Sequence, residues 1–270
     1  MSRRQVTPAE AALLVTPAGR TATKCLQAGL LALLAAGRIG FVKSDGPLKP
    51  AEMVLKGATP GTADPLPRHL AVLEASLVDQ GKGNRLTAAE VLHALQKRFG
   101  HDYRRYLHEE VAPELIRRNL LTRTDGRWLG LFPRITYERT ASGDLLSAPL
   151  RRLMTAIERL PALLKSDPEQ ALRLARSAGA LLILSPEALR QLPQLRRLFE
   201  QGGDDVAVVS ILALGGEGDP EWDAVLELSD LAALFDVHGL FASLETVGDF
   251  TSGGDSSSSD GGGGDGGGGD

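Results

Sequence analysis

Five histidines (His69, His93, His101, His108 and His238) and one cysteine, Cys25, are the side chains with the first claim to metal or nucleophilic chemistry. His101, Asp102 and His108 form the tightest group. A metal ion needs its ligands on one face, and helix positions seven apart stand about two turns, or ~10 Å, from each other. That spacing does not make a site. Neither HExxH nor CxxC is present, so the histidines read as solvent-facing or capping groups. Cys25 falls on the apolar face of an expected helix, where a thiol behaves as a small hydrophobe rather than a nucleophile. There is no G-x-S-x-G elbow, no P-loop and no dinucleotide fingerprint. The expectation is a protein that is not an enzyme, with no cofactor and no metal.

Anion binding is the chemistry the residue types favour. Residues 1–200 carry all 30 Lys and Arg against 19 Asp and Glu, a net charge of +11; residues 201–270 carry 15 Asp and Glu and no Lys or Arg, a net charge of −15. The basic part repeats Arg in pairs: Arg104-Arg105, Arg117-Arg118, Arg151-Arg152 and Arg196-Arg197. On a helix, each pair turns at least one guanidinium to solvent. Two anions compete for such a surface: a phospholipid headgroup and nucleic acid. The acidic end closes on Asp255, Asp260, Asp265 and Asp270, one every five residues among Ser and Gly. That period lacks the apolar position of a calcium-binding β-roll, so this run reads as a solvated, disordered tail over 248–270.

The elements that would position these charges are mostly helices. Aromatics make up only 4% of the chain and hydrophobic residues 43%, so the core must be Leu, Ala, Val and Ile, a helix-forming set. Thr7-Pro8-Ala9-Glu10 and Thr87-Ala88-Ala89-Glu90 are capping boxes that open helices. Further helices are expected over Thr21–Ala36, His69–Asp79, Tyr103–Asn119 (kinked or broken at Pro113), Leu145–Lys165, Pro168–Leu184 and Pro186–Glu200. Ile39–Val42 reads as a short strand closed by a turn at 44–47, and 57–67 as a loop before a turn at 81–84. Leu120–Arg123 and Arg127–Leu131 read as a hairpin about an Asp125-Gly126 turn, with an extended stretch to Thr140. Asp205–Leu214 is an apolar strand or helix, and Asp219-Pro220-Glu221 caps a last helix to about Asp236. The fold class is therefore mainly α: a multi-helix globular body over 5–245 with short β-hairpins. Helix, turn, helix and wing follow one another at 86–131 and more loosely at 7–43, a winged-helix-like layout. On that layout Tyr103–Asn119 would be a recognition helix for DNA, but Glu109, Glu110 and Glu114 would meet phosphates in its middle.

The longest apolar run, Leu26–Ala36, is about 11 residues, short of the roughly 20 that span a bilayer. One cysteine and an N-terminus without an apolar signal region suit a reducing compartment. The expected location is cytoplasmic, with any membrane contact peripheral.

Several segments form an ordered set: Val6-Thr7-Pro8-Ala9-Glu10, the apolar helix Leu30–Ile39 ending in Gly37-Arg38-Ile39, Arg117–Tyr137 (RRNLLTRTDGRWLGLFPRITY), Pro149–Met154, and Asp167–Leu184. In order and spacing they resemble the Golgi phosphoprotein 3 family, bacterial members included, over about residues 5–200. Within them Glu114–Leu121 resembles the family's characteristic helix end, Leu129–Pro133 its Phe-Pro strand and Asp167–Leu182 its Asp-Pro helix. The resemblance implies an all-α adaptor that is not an enzyme and binds phosphatidylinositol 4-phosphate at the membrane surface. The family's R-x-x-R falls on Arg105 and His108; the Arg of its N-terminal helix falls on Leu26, and no Trp precedes that helix. Arg104, Arg105 and His108 are thus the expected headgroup contacts. A winged-helix nucleic-acid-binding regulator and a purely protein-binding scaffold are the alternatives.

Overall fold

Two threonines start helices in the same way. Thr7 and Thr87 each accept a 3.3 Å hydrogen bond from the backbone N–H of the Glu three residues on, and each backbone N–H donates back to that carboxylate at 2.8 Å. The boxes open α1 (Pro8–Val15) and α4 (Ala88–Phe99), satisfying donors that a helix start leaves orphaned. Between them lie α2 (Thr21–Ala35), β1 (Ile39–Val42), β2 (Glu52–Leu55), α3 (Arg68–Val78) and β3 (Arg85–Leu86). Gly37 has a φ of +67°, which lets Gly37 and Arg38 donate back to Leu34 and Leu33 and end α2. The turn aims Arg38 at Glu74 on α3, held by two 2.8 Å bonds.

The computed structural model describes residues 6–17, 21–42, 52–56, 66–79, 84–128 and 132–202. Among the described residues the fold is mainly helical with two small antiparallel sheets. The core is aliphatic: Leu13 and Leu14 of α1 and Leu26, Leu30 and Leu33 of α2 are fully buried among Leu73, Leu95, Leu115 and Leu182. The helix α2 is hidden along most of its length and packs on α1, α3 and two segments described next. After α4 come a π-helical segment (Tyr106–Val111), α5 (Ala112–Arg117), β4 (Leu121–Trp128) and β5 (Phe132–Arg139). Then follow α6 (Ala141–Glu158), α7 (Leu160–Ser166), α8 (Pro168–Ala178), a 3-10 segment (Gly179–Leu184) and α9 (Pro186–Gly202).

Several expectations shift. The Asp125-Gly126 pair is not a turn: both residues lie inside β4, opposite Ile135 and Arg134, and the register closes at Trp128↔Phe132. An Asp-Gly dipeptide permits a tight turn but does not compel one. Here Thr122, Thr124, Thr136 and Ile135 favour a longer ladder. Pro113 does not break its helix. The wide turn just before it, closed by Ala112 N–H donating to the Leu107 carbonyl five residues back, reroutes the bonds around a residue with no N–H. The helix expected from Leu145 starts earlier, at Ala141, because Thr140 caps it through Gly143 N–H. It ends at Arg159, where Pro161 opens α7. The helix expected to reach Leu184 stops at Gly179, whose φ is +48°. In the looser unit at 7–43 the strand β1 pairs with β2, a strand the sequence does not announce, and β2 pairs in turn with β3. The turns at 44–47 and 81–83, most of the 57–67 loop, Asp205–Leu214, the helix to Asp236 and the tail over 248–270 lie outside the described residues.

Candidate anion-binding site

The site is built on the segment that enters the π turn. Tyr103 takes a left-handed φ of +55°. The Asp102 carboxylate then accepts from Arg104 N–H and pairs with its guanidinium, both at 3.1 Å, which fixes the start of the helix. From there the residues divide between two faces. Tyr106, Leu107, Glu110 and Val111 point inward, while Arg104, Arg105 and Glu109 are exposed and His108 is half-buried.

The inward face rests on a buried polar layer. The Tyr106 ring packs edge-on to Phe99 at 5.1 Å and to His69 at 6.5 Å. Its hydroxyl lies beside Gly29 and has no hydrogen-bond partner among the described residues. Burial, reinforced by Cys25, Glu10 and Glu110, holds the phenol well above its usual pKa, so it stays protonated. Glu10 is fully buried 3.8 Å from the Arg118 guanidinium, and Glu110 lies 3.5 Å from Arg68. Thr7 Oγ1 and His69 Nε2 share a 3.0 Å hydrogen bond. These contacts bind α1, α3 and the π segment together and make the exposed face a rigid platform. Cys25 belongs to the same layer; burial pushes its thiol up, away from the reactive thiolate.

On the outer face the hairpin leans over the platform. His108 Nδ1 and Tyr137 Oη share a 2.7 Å hydrogen bond, with ring centroids 5.6 Å apart. Burial lowers the His108 pKa, and the positive charges of Arg123 and Arg104 lower it further. The imidazole is therefore neutral at neutral pH. Burial also raises the Tyr137 phenol to about 12. Arg123, from β4, thus joins Arg104 and His108. Only the strand register links Arg123 to this segment, and no spacing in the sequence announces it. The ladder now puts Arg123, Asp125 and Arg127 on one face of β4, with Tyr137 opposite Arg123. At the hairpin's base Arg139 donates to the Leu14 carbonyl at 2.9 Å and to Asp144 at 2.8 Å, anchoring the sheet to α1 and α6.

Of the three expected headgroup residues, Arg104 acts on His108 together with Arg123, but both arginines already face carboxylates, Asp102 and Asp125, at 3.1 and 2.8 Å. Uncompensated charge sits on Arg105, Arg127 and Arg134, which are exposed and have no ion pair among the described residues. The other arginine pairs are elsewhere and partly spent: Arg117 on Glu114, Arg118 on Glu10, Arg151 on Asp144 and Arg196 on Glu200. Leu26, where the resemblance would put a headgroup arginine, is fully buried and cannot meet a ligand. No protein-family model and no curated protein matches this chain. Among the described residues no helix is long and apolar enough to cross a membrane, and no cluster of His, Cys, Asp and Glu could hold a metal ion.

Chemically, the arrangement offers guanidiniums from two elements and a neutral, half-buried imidazole to one multi-oxygen anion at the surface, while the buried Tyr137 phenol holds the imidazole in place. The exposed side of the would-be recognition helix is less suited to a duplex. Its cations there include Arg117, held by Glu114 through bonds of 2.7 and 3.0 Å, and Glu109 lies exposed between the arginines.

Proposed function

We propose that this protein is a non-enzymatic peripheral adaptor that holds anionic membrane surfaces through the hairpin β4–β5 and the π segment beneath it. The observation that carries this reading is the hairpin. Its stem is exposed from Thr122 to Arg127, and exposed Arg127 and Arg134 flank the sequence Trp128-Leu129-Gly130-Leu131-Phe132-Pro133. An apolar sequence between cations suits the boundary between headgroups and acyl chains.

The magnitudes require both parts. Arg104, Arg105, Arg123, Arg127 and Arg134 stand against four carboxylates of the same elements, Asp102, Glu109, Asp125 and Glu138, leaving a positive excess of one. At about 1 kcal/mol per uncompensated cation near an anionic leaflet, charge supplies ~1 kcal/mol, or ~5-fold. That steers the protein but does not hold it, so the apolar sequence 128–133 must add the rest. A phosphoinositide headgroup against Arg104, Arg105 and His108 is the finer form of this proposal, and it agrees with the resemblance to the Golgi phosphoprotein 3 family.

Vesicle flotation tests it. Phosphatidylcholine vesicles should leave the protein at the bottom. Vesicles with added phosphatidylserine or phosphatidylinositol 4-phosphate should carry it up, less at high salt and less for Arg104→Ala/Arg105→Ala. Binding indifferent to lipid charge would sink the proposal. A retarded duplex with a steep salt dependence would favour a nucleic-acid partner instead.

A further inference from the structure

The two ring nitrogens of His108 stand in different settings. Nδ1 shares its 2.7 Å hydrogen bond with Tyr137 Oη, on β5. Nε2 makes no hydrogen bond with another described residue and is not sealed from solvent. Only one proton can stand between Nδ1 and Oη, and the surroundings decide whose it is. Tyr137 is 4% exposed, its phenol stays protonated, and it has no second hydrogen-bond partner among the described residues. Were Nδ1 to donate, the phenol O–H would be a buried donor without an acceptor, and the Nε2 lone pair would face solvent. With the phenol donating, one bond satisfies both groups, and the imidazole proton goes to Nε2, where a ligand oxygen can accept it. A second proton on the ring is disfavoured by burial, Arg123 and Arg104, with Asp102 and Glu109 acting the other way.

We infer that Tyr137 is a positioning residue: it donates to His108 Nδ1 and fixes the tautomer protonated on Nε2, so that His108 offers a neutral N–H donor to an oxygen of an anion held beside Arg104 and Arg123. The anion rests on the membrane reading above; the tautomer does not. The opposite tautomer would turn a lone pair toward the anion and repel it. A neutral donor is not screened as the arginines are, so its share of the binding should persist as salt rises.

Long-range proton–nitrogen NMR correlations, which separate a protonated ring nitrogen from a bare one, read the tautomer without lipid. At a pH of about 8, above the ordinary histidine range, His108 should carry its proton on Nε2. In Tyr137→Phe, which keeps the ring and loses the donor, the proton should spread over both nitrogens. A native His108 protonated on Nδ1, or a tautomer that Tyr137→Phe leaves unchanged, overturns the inference. The native spectrum decides the direction of the bond whatever the stability of the variant. Flotation on phosphatidylinositol 4-phosphate vesicles reads the donor. His108→Gln, whose amide N–H stands in for Nε2, should bind within about twofold of the native protein, whereas His108→Ala should lose about fivefold, the worth of one neutral hydrogen bond. Tyr137→Phe should fall between them. Equal binding by His108→Gln and His108→Ala, where the native protein floats, overturns the donor role. The expected tautomer in a native protein that floats on no vesicle supports the part of Tyr137 and removes the membrane reading alone.

Discussion

Gly29 lies in the interior of α2, where alanine would ordinarily be worth up to about 1 kcal/mol more than glycine. Here the substitution should cost stability. A β-carbon at this position would stand 2.5 Å from Tyr106 Oη and 2.9 Å from Leu73 Cδ2. The Leu73 tip can rotate aside. Tyr106 cannot, because its ring is fully buried and backed by Phe99 at 5.1 Å. Overpacking of this kind costs ~1–3 kcal/mol, so Gly29→Ala should lose about 1 kcal/mol net. Tyr106→Phe removes the oxygen in the way. With no hydrogen-bond partner among the described residues, that hydroxyl should be lost at little cost or none. In the Tyr106→Phe background the nearest ring atom is Cζ at 3.4 Å, and Gly29→Ala should turn neutral or stabilising. The double-mutant cycle should therefore show ~1–2 kcal/mol of coupling, read as shifts of the urea midpoint at constant slope. A stabilising Gly29→Ala in the native background, or a coupling under ~0.3 kcal/mol, would refute the packing argument and with it the rigid platform under Arg104 and Arg105.

Thr7→Ala should cost more than Thr87→Ala. Both lose a capping box, ~0.5–2 kcal/mol, but Thr7 is also hydrogen-bonded to His69 inside the fold, whereas the box at Thr87 is exposed. Thermal unfolding of the two variants ranks them. By NMR, His108 should titrate below the ordinary histidine value, and Arg123→Ala should move it back up. The sign for stability follows: the unfolded chain takes up this proton at higher pH than the fold does. The contribution is thus present above the ordinary value of about 6.5 and is lost as pH falls from there through the folded pKa. A stability that rises on acidification through this window, in a comparison with His108→Gln, would contradict the burial of the ring. An anion bound among Arg104, Arg105 and His108 should raise the His108 pKa by the same linkage, which gives a solution assay for headgroup analogues.

Local rules written in the chain carried much of the fold. The reciprocal Thr–Glu caps, Gly37 as a helix stop, the Pro-led starts of α8 and α9 and the mainly helical class all follow from hydrogen-bond satisfaction over three or four residues. The charge division at residue 200 is also plain in the sequence. Errors arose where a local signal permitted more than one outcome. Asp125-Gly126 can turn or run straight, and only the pairing with Phe132–Arg139 makes it straight. Pro113 can break a helix or follow a π turn, and the burial of Tyr106 and Glu110 on the far side goes with the turn.

The sequence by itself determined that this chain is mainly helical, that several of its cations come in arginine pairs and that acids stand without Lys or Arg beyond residue 200, because composition and short-range capping are local properties. Tertiary structure decided which of those cations matter. Arg117 and Arg118 are spent on Glu114 and Glu10, while Arg123 is carried from a neighbouring strand to stand with Arg104 and His108. No spacing rule encodes that convergence. It depends on a strand register and a wide helical turn, both set by which side chains the core can bury.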